Sequence, residues 1–271
     1  MSMQIEFAKG HGTRNDFVLF VDPDNLYDLA PEEVAFLCDR RGGIGADGVL
    51  RAVRAEFVPG FEGETDRWFM DYRNADGSVA EMCGNGLRVF LRYLAEEGLV
   101  SGPEVTVATR AGLRTGTFLS DGRIAVTMGP ATTGEEVVLR LGTDSWRARS
   151  VDVGNPHAVA VLPSTRALRD LDLTHAPTWH PAEAFPNGVN AEFVVREAPG
   201  RIRLRVHERG VGETESCGTG VVAAAAAMGD ADHYVVDVPG GTLEVDLSGE
   251  EAVLVGPAVV VARGTCTLGE G

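Results

Sequence analysis

Gly220-Val221-Val222-Ala223-Ala224-Ala225-Ala226-Ala227-Met228 shows no polar face on any side of the helix its residues favour. A helix that is apolar all round has to be buried inside something, and small alanines let surrounding strands come close. The stretch therefore predicts a curved sheet wrapped round one central helix. Directly before it stands Glu215-Ser216-Cys217-Gly218-Thr219-Gly220, and Glu81-Met82-Cys83-Gly84-Asn85-Gly86 reads as a variant of the same device. The helix after this earlier copy, roughly Gly86 to Glu96, carries Leu87, Phe90, Leu91 and Leu94 at helical spacing. Two wrapped helices, with a join near Gly129-Pro130-Ala131-Thr132-Thr133-Gly134, predict a fold of the α/β (α+β) class in two halves.

The helix mouths carry the chemistry. N–H groups of a helix's first turn have no partner inside the helix, and the dipole leaves partial positive charge there. Such an end attracts a carboxylate and is expected to lower the pKa of a thiol placed on it. One copy implies a reactive cysteine. Two copies imply two thiols facing one anion, which is what moving a proton across a carbon requires.

Elsewhere short β-like runs recur: Glu104 to Thr109, Arg123 to Met128, His157 to Leu162, Glu192 to Arg196, Arg201 to His207, Tyr234 to Val238, Thr242 to Leu247 and Ala252 to Val255. In the Arg201 run Ile202, Leu204 and Val206 share one face and arginines the other, as in a half-buried strand. Gly43-Ile44-Gly45-Ala46-Asp47-Gly48 fits G-x-G-x-x-G, but a dinucleotide site needs a strand before it and a helix after it. Here the order is reversed: Glu32 to Asp39 reads as a helix and Val49 to Val53 as a strand. The glycine run is expected to be a loop closing over the site.

With 271 residues, 44% of them hydrophobic, the chain can build real cores, and no apolar run is long enough to span a membrane. Nothing at Met1 to Glu6 resembles a secretory signal, so a cytoplasmic location is expected. A net charge of −16 argues against nucleic acid as a partner. Lys9 is the sole lysine, leaving it alone to carry a pyridoxal phosphate Schiff base, and no site pattern surrounds it. Chemistry at an α-carbon is therefore expected to need no cofactor. The four cysteines form no C-x-x-C and meet no histidine at ligand spacing, so no metal site is expected. Cys38, in a helix with Pro31 in its first turn, and Cys266 read as small buried hydrophobes.

The ordered set Asn15-Asp16-Phe17, Gly43 to Gly48, Asn74-Ala75-Asp76-Gly77, Met82 to Gly86, Gly154-Asn155-Pro156-His157, Asn190, Glu208-Arg209-Gly210 and Ser216 to Gly220 resembles the diaminopimelate epimerase family. It covers nearly the whole chain. The resemblance implies two pseudo-symmetric domains, each a barrel-like mixed sheet round a central helix, with the active site in the cleft between them. Residues 1–128, with the tail from about 260 to 271 returning to them, would form one domain and 129–259 the other. The family interconverts LL- and meso-diaminopimelate, on the route to lysine and peptidoglycan, without pyridoxal phosphate or metal. Its members are usually homodimers.

The resemblance also implies roles. Cys83 and Cys217 would lie on opposite faces of the α-carbon, one as thiolate base and the other as thiol acid. Backbone N–H groups of Gly84, Asn85, Gly218 and Thr219 would meet the developing charge on the substrate carboxylate. His157 and Glu208 would tune the thiols. Asn15, Asn74, Asn155, Asn190, Glu208 and Arg209 would hold the distal amino-acid head, where an arginine fork suits a carboxylate. His11, His175, His180, His207 and His233 are expected to be structural. Some family members carry glutamine where this chain has Gly48. Proline racemases and hydroxyproline epimerases share the cysteine pair, but their Asp-Arg-Ser-Pro lead is here Gly212-Glu213-Thr214-Glu215-Ser216. Phenazine-type isomerases lack the pair. A redox or binding protein whose cysteines form a disulfide is the reading from a different class.

Overall fold

A computed structural model describes residues 3–27 and 29–268. The first stretch of chain runs β1 (Met3–Gly12), β2 (Asn15–Val21), α1 (Pro31–Cys38), β3 (Gly48–Arg54), β4 (Trp68–Asn74), α2 (Gly84–Glu96), β5 (Glu104–Thr109), β6 (Gly112–Phe118) and β7 (Ile124–Gly129). Then follow β8 (Thr132–Leu141), β9 (Asp144–Asp152), β10 (Pro156–Val161), α3 (Thr165–Arg169), β11 (Thr178–His180), β12 (Asn190–Ala198) and β13 (Arg201–Glu208). The remainder is β14 (Gly212–Thr214), α4 (Gly218–Met228), β15 (His233–Val238), β16 (Gly241–Asp246), β17 (Ala252–Gly256) and β18 (Val259–Leu268).

By contacts the chain divides into two units, Met1–Val126 with Pro257–Gly271, and Thr127–Gly256. In the first unit the strands lie in the order β18-β1-β2-β3-β4-β5-β6-β7, and all neighbours are antiparallel except β2/β3 and β4/β5. In the second the order is β8-β9-β10-β12-β13-β15-β16-β17, with β10/β12 and β13/β15 the parallel pairs. The two orders repeat one pattern, step for step. Parallel neighbours need a crossover, and the second crossover in each unit carries the central helix, α2 in one and α4 in the other. The units are thus built to one plan, and β18 supplies the first strand of a sheet whose other members lie in the first half of the chain.

α4 packs against β8, β9, β10, β12, β13, β15, β16 and β17, and its residues from Gly218 to Ala225 are buried. It ends at Gly229, whose left-handed φ of 60° caps the helix without a Cβ penalty. α2 packs on β1, β2, β3 and β18 through Leu87, Phe90, Leu91 and Leu94, all fully buried. Here the strand side gives way: a Cβ on Gly10 of β1 would sit 2.7 Å from Val89 Cγ1 and 2.9 Å from the Val259 carbonyl. Because Ala224 is fully buried within that ring of strands, Ala224→Leu is expected to cost about 1–3 kcal/mol by overpacking. Urea unfolding measures it, and an unchanged midpoint would show that the ring has slack.

Both central helices begin two residues before the Gly86 and Gly220 expected from sequence. Gly84 and Gly218 are already helical, and each cysteine is the N-cap. Glycine's low helix propensity conceals this, because at a first turn the burial of the whole segment outweighs it. The glycine run has α1 before it and β3 after it, the reverse of a nucleotide-binding turn. Cys38 is buried, its thiol pushed up to about 11 chiefly by that burial; Cys266 is half-buried against the same apolar cluster.

Candidate active site

In the first unit Cys83 caps α2 with extended backbone, and its Sγ accepts from the Gly86 N–H at 3.4 Å. The thiol also donates to Asn15 Oδ1 at 3.5 Å, and Asn85 Nδ2 donates to the same oxygen at 3.3 Å. Asn15 Nδ2 in turn donates to Asp47 Oδ2 at 2.8 Å. Through Asp47 the glycine loop is tied to the start of β2. The Asp47 N–H reaches the Asp16 carbonyl at 2.9 Å, and Arg40 donates to Asp16 through both terminal nitrogens and to Asp47 at 2.7 Å. The lone lysine belongs to this tie: Lys9 pairs with Asp16 at 2.7 Å and donates to the Gly45 carbonyl. Burial opposes ionisation of Asp16, but Arg40 and Lys9 outweigh it and hold the carboxyl at about 2. Asn74 stands apart from this group. Its side chain donates to Ser78 Oγ at 3.0 Å within a turn, while its backbone lies beside Gly48 in the β3/β4 ladder.

In the second unit Cys217 caps α4 and is buried, with Sγ 3.5 Å from Thr219 Oγ1. Thr219 Oγ1 accepts from Asn155 Nδ2 at 3.3 Å, and Asn155 Oδ1 faces His157 Nε2 at 2.9 Å. His157 Nδ1 lies 2.7 Å from Glu192 Oε1, with both side chains fully buried. With Asn155 Oδ1 as acceptor, His157 Nε2 is the ring N–H and Nδ1 faces the Glu192 carboxyl. Asn190 lies beside His157 in the parallel β10/β12 ladder; it donates to the Pro156 carbonyl at 3.2 Å and accepts from the Arg209 N–H at 2.9 Å. Glu208 accepts from the Thr214 hydroxyl, and Arg209 lies along Gly188 and reaches toward the Asn187 carbonyl at 3.5 Å.

One expectation is corrected here. A thiol at a helix N-terminus should ionise more readily, yet Cys217 is pushed well above the ordinary thiol value. Burial is the main cause, followed by the carboxylates of Glu208 and Glu192; the Thr219 hydroxyl and the Gly220 N–H pull the other way and lose. Two residues that the motifs do not single out also stand at the helix mouths. Glu192 is one: burial raises its carboxyl to about 7 against the pull of His157, and a Cβ on Gly220 would lie 2.7 Å from its Oε1. The other is Arg88 on α2, fully buried and donating to the carbonyl of Gly84, the residue after Cys83. An isolated acid inside an apolar strand, and a basic residue between Leu87 and Val89 in the buried part of an amphipathic helix, were the available signals.

The diaminopimelate epimerase family model matches residues 7–134 and 149–261, which include every residue of both clusters. The chain belongs to the diaminopimelate epimerase family. Family relatives include the diaminopimelate epimerases of Streptomyces coelicolor, 50% identical over 97% of this chain and 96% of that one, and of Thermobifida fusca, 50% identical over 97% and 98%. The epimerase fold extends to more distant solved structures. A hydroxyproline epimerase from Agrobacterium vitis has a TM-score of 0.68 at 16% identity, over 98% of this chain and 93% of that one. A phenazine biosynthesis PhzF-family protein from Enterococcus faecalis has a TM-score of 0.70 at 12% identity, over 98% and 100%. No described helix in this family member is long and apolar enough to cross a membrane, and no three His, Cys, Asp or Glu side chains among the described residues are grouped to hold a metal ion.

Proposed function

We propose that the protein interconverts LL- and meso-2,6-diaminopimelate by two-base proton transfer at one α-carbon, supplying lysine and peptidoglycan synthesis. The observation that carries this is the duplicated helix mouth: Cys83 and Cys217 each cap a buried helix that opens with Gly-X-Gly, in a chain of this family. An α-hydrogen between an ammonium and a carboxylate is a very weak acid. One sulfur, as thiolate, takes it; the other, as thiol, delivers a proton to the opposite face, and the centre inverts. Reversing the reaction exchanges the roles, and asymmetric protonation of the pair is expected because two coupled thiols titrate as a unit.

The charge that builds on the substrate carboxylate is met by N–H groups of Gly84, Asn85, Gly218 and Thr219, fixed donors of a kind worth roughly 3–4 kcal/mol each. His157 and Glu208 set the proton affinity of the thiols. Asn15, Asn74, Asn155, Asn190, Glu208 and Arg209 recognise the distal head, which is bound and left unchanged. The reaction uses neither cofactor nor metal in this reading. The protein works as a cytoplasmic homodimer, with one thiol contributed by residues 1–128 and the other by 129–259.

The test is proton NMR of the reduced protein in D₂O with LL-diaminopimelate, and with L-proline and trans-4-hydroxyproline in parallel. Deuterium uptake at the α-carbon with appearance of the meso form is the expected result. Exchange confined to the cyclic substrates would move the specificity to the imino acids and keep the thiol chemistry. No exchange with any substrate would overturn the proposal.

A further inference from the structure

Arg88 is the one guanidinium buried completely among the described residues, and it meets no carboxylate there. Its partners are four neutral oxygens: Pro257 O and Gly84 O at 3.3 Å, Thr13 Oγ1 at 3.3 Å and Asn85 Oδ1 at 2.9 Å. A buried charge with no opposite charge is costly to keep, so something negative has to balance it when the protein works. The charged groups on the other elements packed against α2 are already matched or exposed. Lys9 on β1 and Asp16 on β2 pair with each other, Arg51 on β3 pairs with Asp22 and Asp71, and Arg263 on β18 pairs with Glu96 and Glu97 at the far end of the helix. Arg54 on β3 lies over the Trp68 ring and Glu6 on β1 is exposed, while His11 on β1 has a buried Nδ1 without a hydrogen bond.

The fold itself does not ask for this cation. Counting five residues on from each capping cysteine gives Arg88 in α2 and Val222 in α4, and Val222 is fully buried in the same kind of helix. The two mouths also differ at the neighbouring strands. A Cβ on Gly86 would meet Phe17 and Leu50, whereas one on Gly220 would meet the Glu192 carboxylate. Against the helix glycine one mouth therefore presents apolar side chains, with a buried cation on its helix, and the other presents a buried acid. Arg88 also fixes the Asn85 amide: by donating to Asn85 Oδ1 it turns Asn85 Nδ2 to Asn15 Oδ1, which the Cys83 thiol meets only while it carries its proton.

We infer that Arg88 is the positioning residue of the first half-site, the fixed counter-charge that, beside the Gly86 N–H donated to Sγ, makes Cys83 the thiolate of the resting enzyme. Cys83 and the burial of Arg88 act on the guanidinium in opposite senses: burial draws it down to about 10, still charged at neutral pH, and the thiolate supports it. Cys217, buried among carboxylates, is then the resting acid. The inference rests on the two-thiol reading of the reaction, but its test does not need turnover.

Iodoacetamide alkylation of Cys83 as a function of pH, read by peptide mass spectrometry on the full chain, measures its ionisation directly; Cys266 is the internal control. In the unaltered protein the Cys83 midpoint is expected below the free-thiol value of about 8.5. Arg88→Gln keeps a partner for Asn85 without the charge and should raise the midpoint by about one pH unit, a tenfold loss of thiolate below it. Arg88→Lys keeps the charge and should hold the midpoint, and Cys266 should not move in either. The acid limb of kcat/KM for epimerisation should move up with the Cys83 midpoint in Arg88→Gln. A shift in alkylation without epimerisation by any variant or the unaltered protein would uphold Arg88 and sink the proposed reaction. A folded Arg88→Gln with an unchanged midpoint would overturn the inference. If that variant does not fold, a Cys83 midpoint at or above the free-thiol value in the unaltered protein overturns it equally.

Discussion

Cys83→Ala and Cys217→Ala are each expected to abolish epimerisation, in both directions, while leaving a folded protein. A positioned general acid or base contributes roughly 10²–10⁴-fold, and either substitution removes the base for one isomer and the acid for the other. At the Cys217 mouth, among the described residues, His157 is engaged on both ring nitrogens and Glu192 is closed off behind it. The structural cost is small by comparison. Each cysteine caps its helix chiefly with backbone, and loss of a side-chain cap costs on the order of 1 kcal/mol. Circular dichroism and thermal unfolding separate the two effects. Turnover retained within tenfold by either variant would show that one thiol suffices and that inversion follows another route.

The second large effect belongs to Glu192. Its carboxyl stands at about 7 in the folded protein against 4.5 as an ordinary glutamate, so between those values the folded state holds a proton that the unfolded chain has released. Stability is accordingly greatest below about 4.5 as far as this group is concerned, and is lost as the pH rises toward 7; the whole window is worth about 3 kcal/mol. Glu192→Gln has no proton to lose, and its amide N–H can stand in for the protonated carboxyl in donating to His157 Nδ1. The variant is expected to show a flat urea midpoint across this window where the unaltered protein declines. Equal slopes in the two proteins would place the titration elsewhere. Removing the carboxylate also removes one of the two charges that raise Cys217, so that thiol should alkylate at lower pH.

Much of this was legible in the sequence. The alanine run of α4 announces a buried helix, and the eight β-like runs each fall on a strand of the structure to within one residue. β2 and β4 escaped although Phe17 to Phe20 and Trp68 to Met70 are buried apolar runs, and two further strands escaped because their sequence signal is weak. β8 opens with Thr132-Thr133-Gly134-Glu135-Glu136, all exposed, and alternates only from Val137 on, while β18 is exposed along most of its length, so burial imposes no pattern on these stretches. The site was legible where glycine, cysteine and asparagine cluster locally. Glu192 and Arg88 were not, because each is a single charged residue whose importance lies in being buried, and burial depends on what the rest of the chain places around it. The same holds for Cys217, where local helix-end chemistry gives one sign and the surrounding carboxylates the other.

The place of β18 has a consequence for how the molecule is made. Met3 pairs with Leu268 and Lys9 with Ala262, so β1 waits for a strand made about 250 residues later. All of Thr127–Gly256 is synthesised in between, and that unit is continuous. Vectorial synthesis therefore lets the second unit close first, while β1 keeps an open edge and α2 lacks one of the walls it packs on. A pause or truncation before residue 259 would strand that edge as a template for another chain, which makes the final ten-residue strand a seal on folding as well as a structural element.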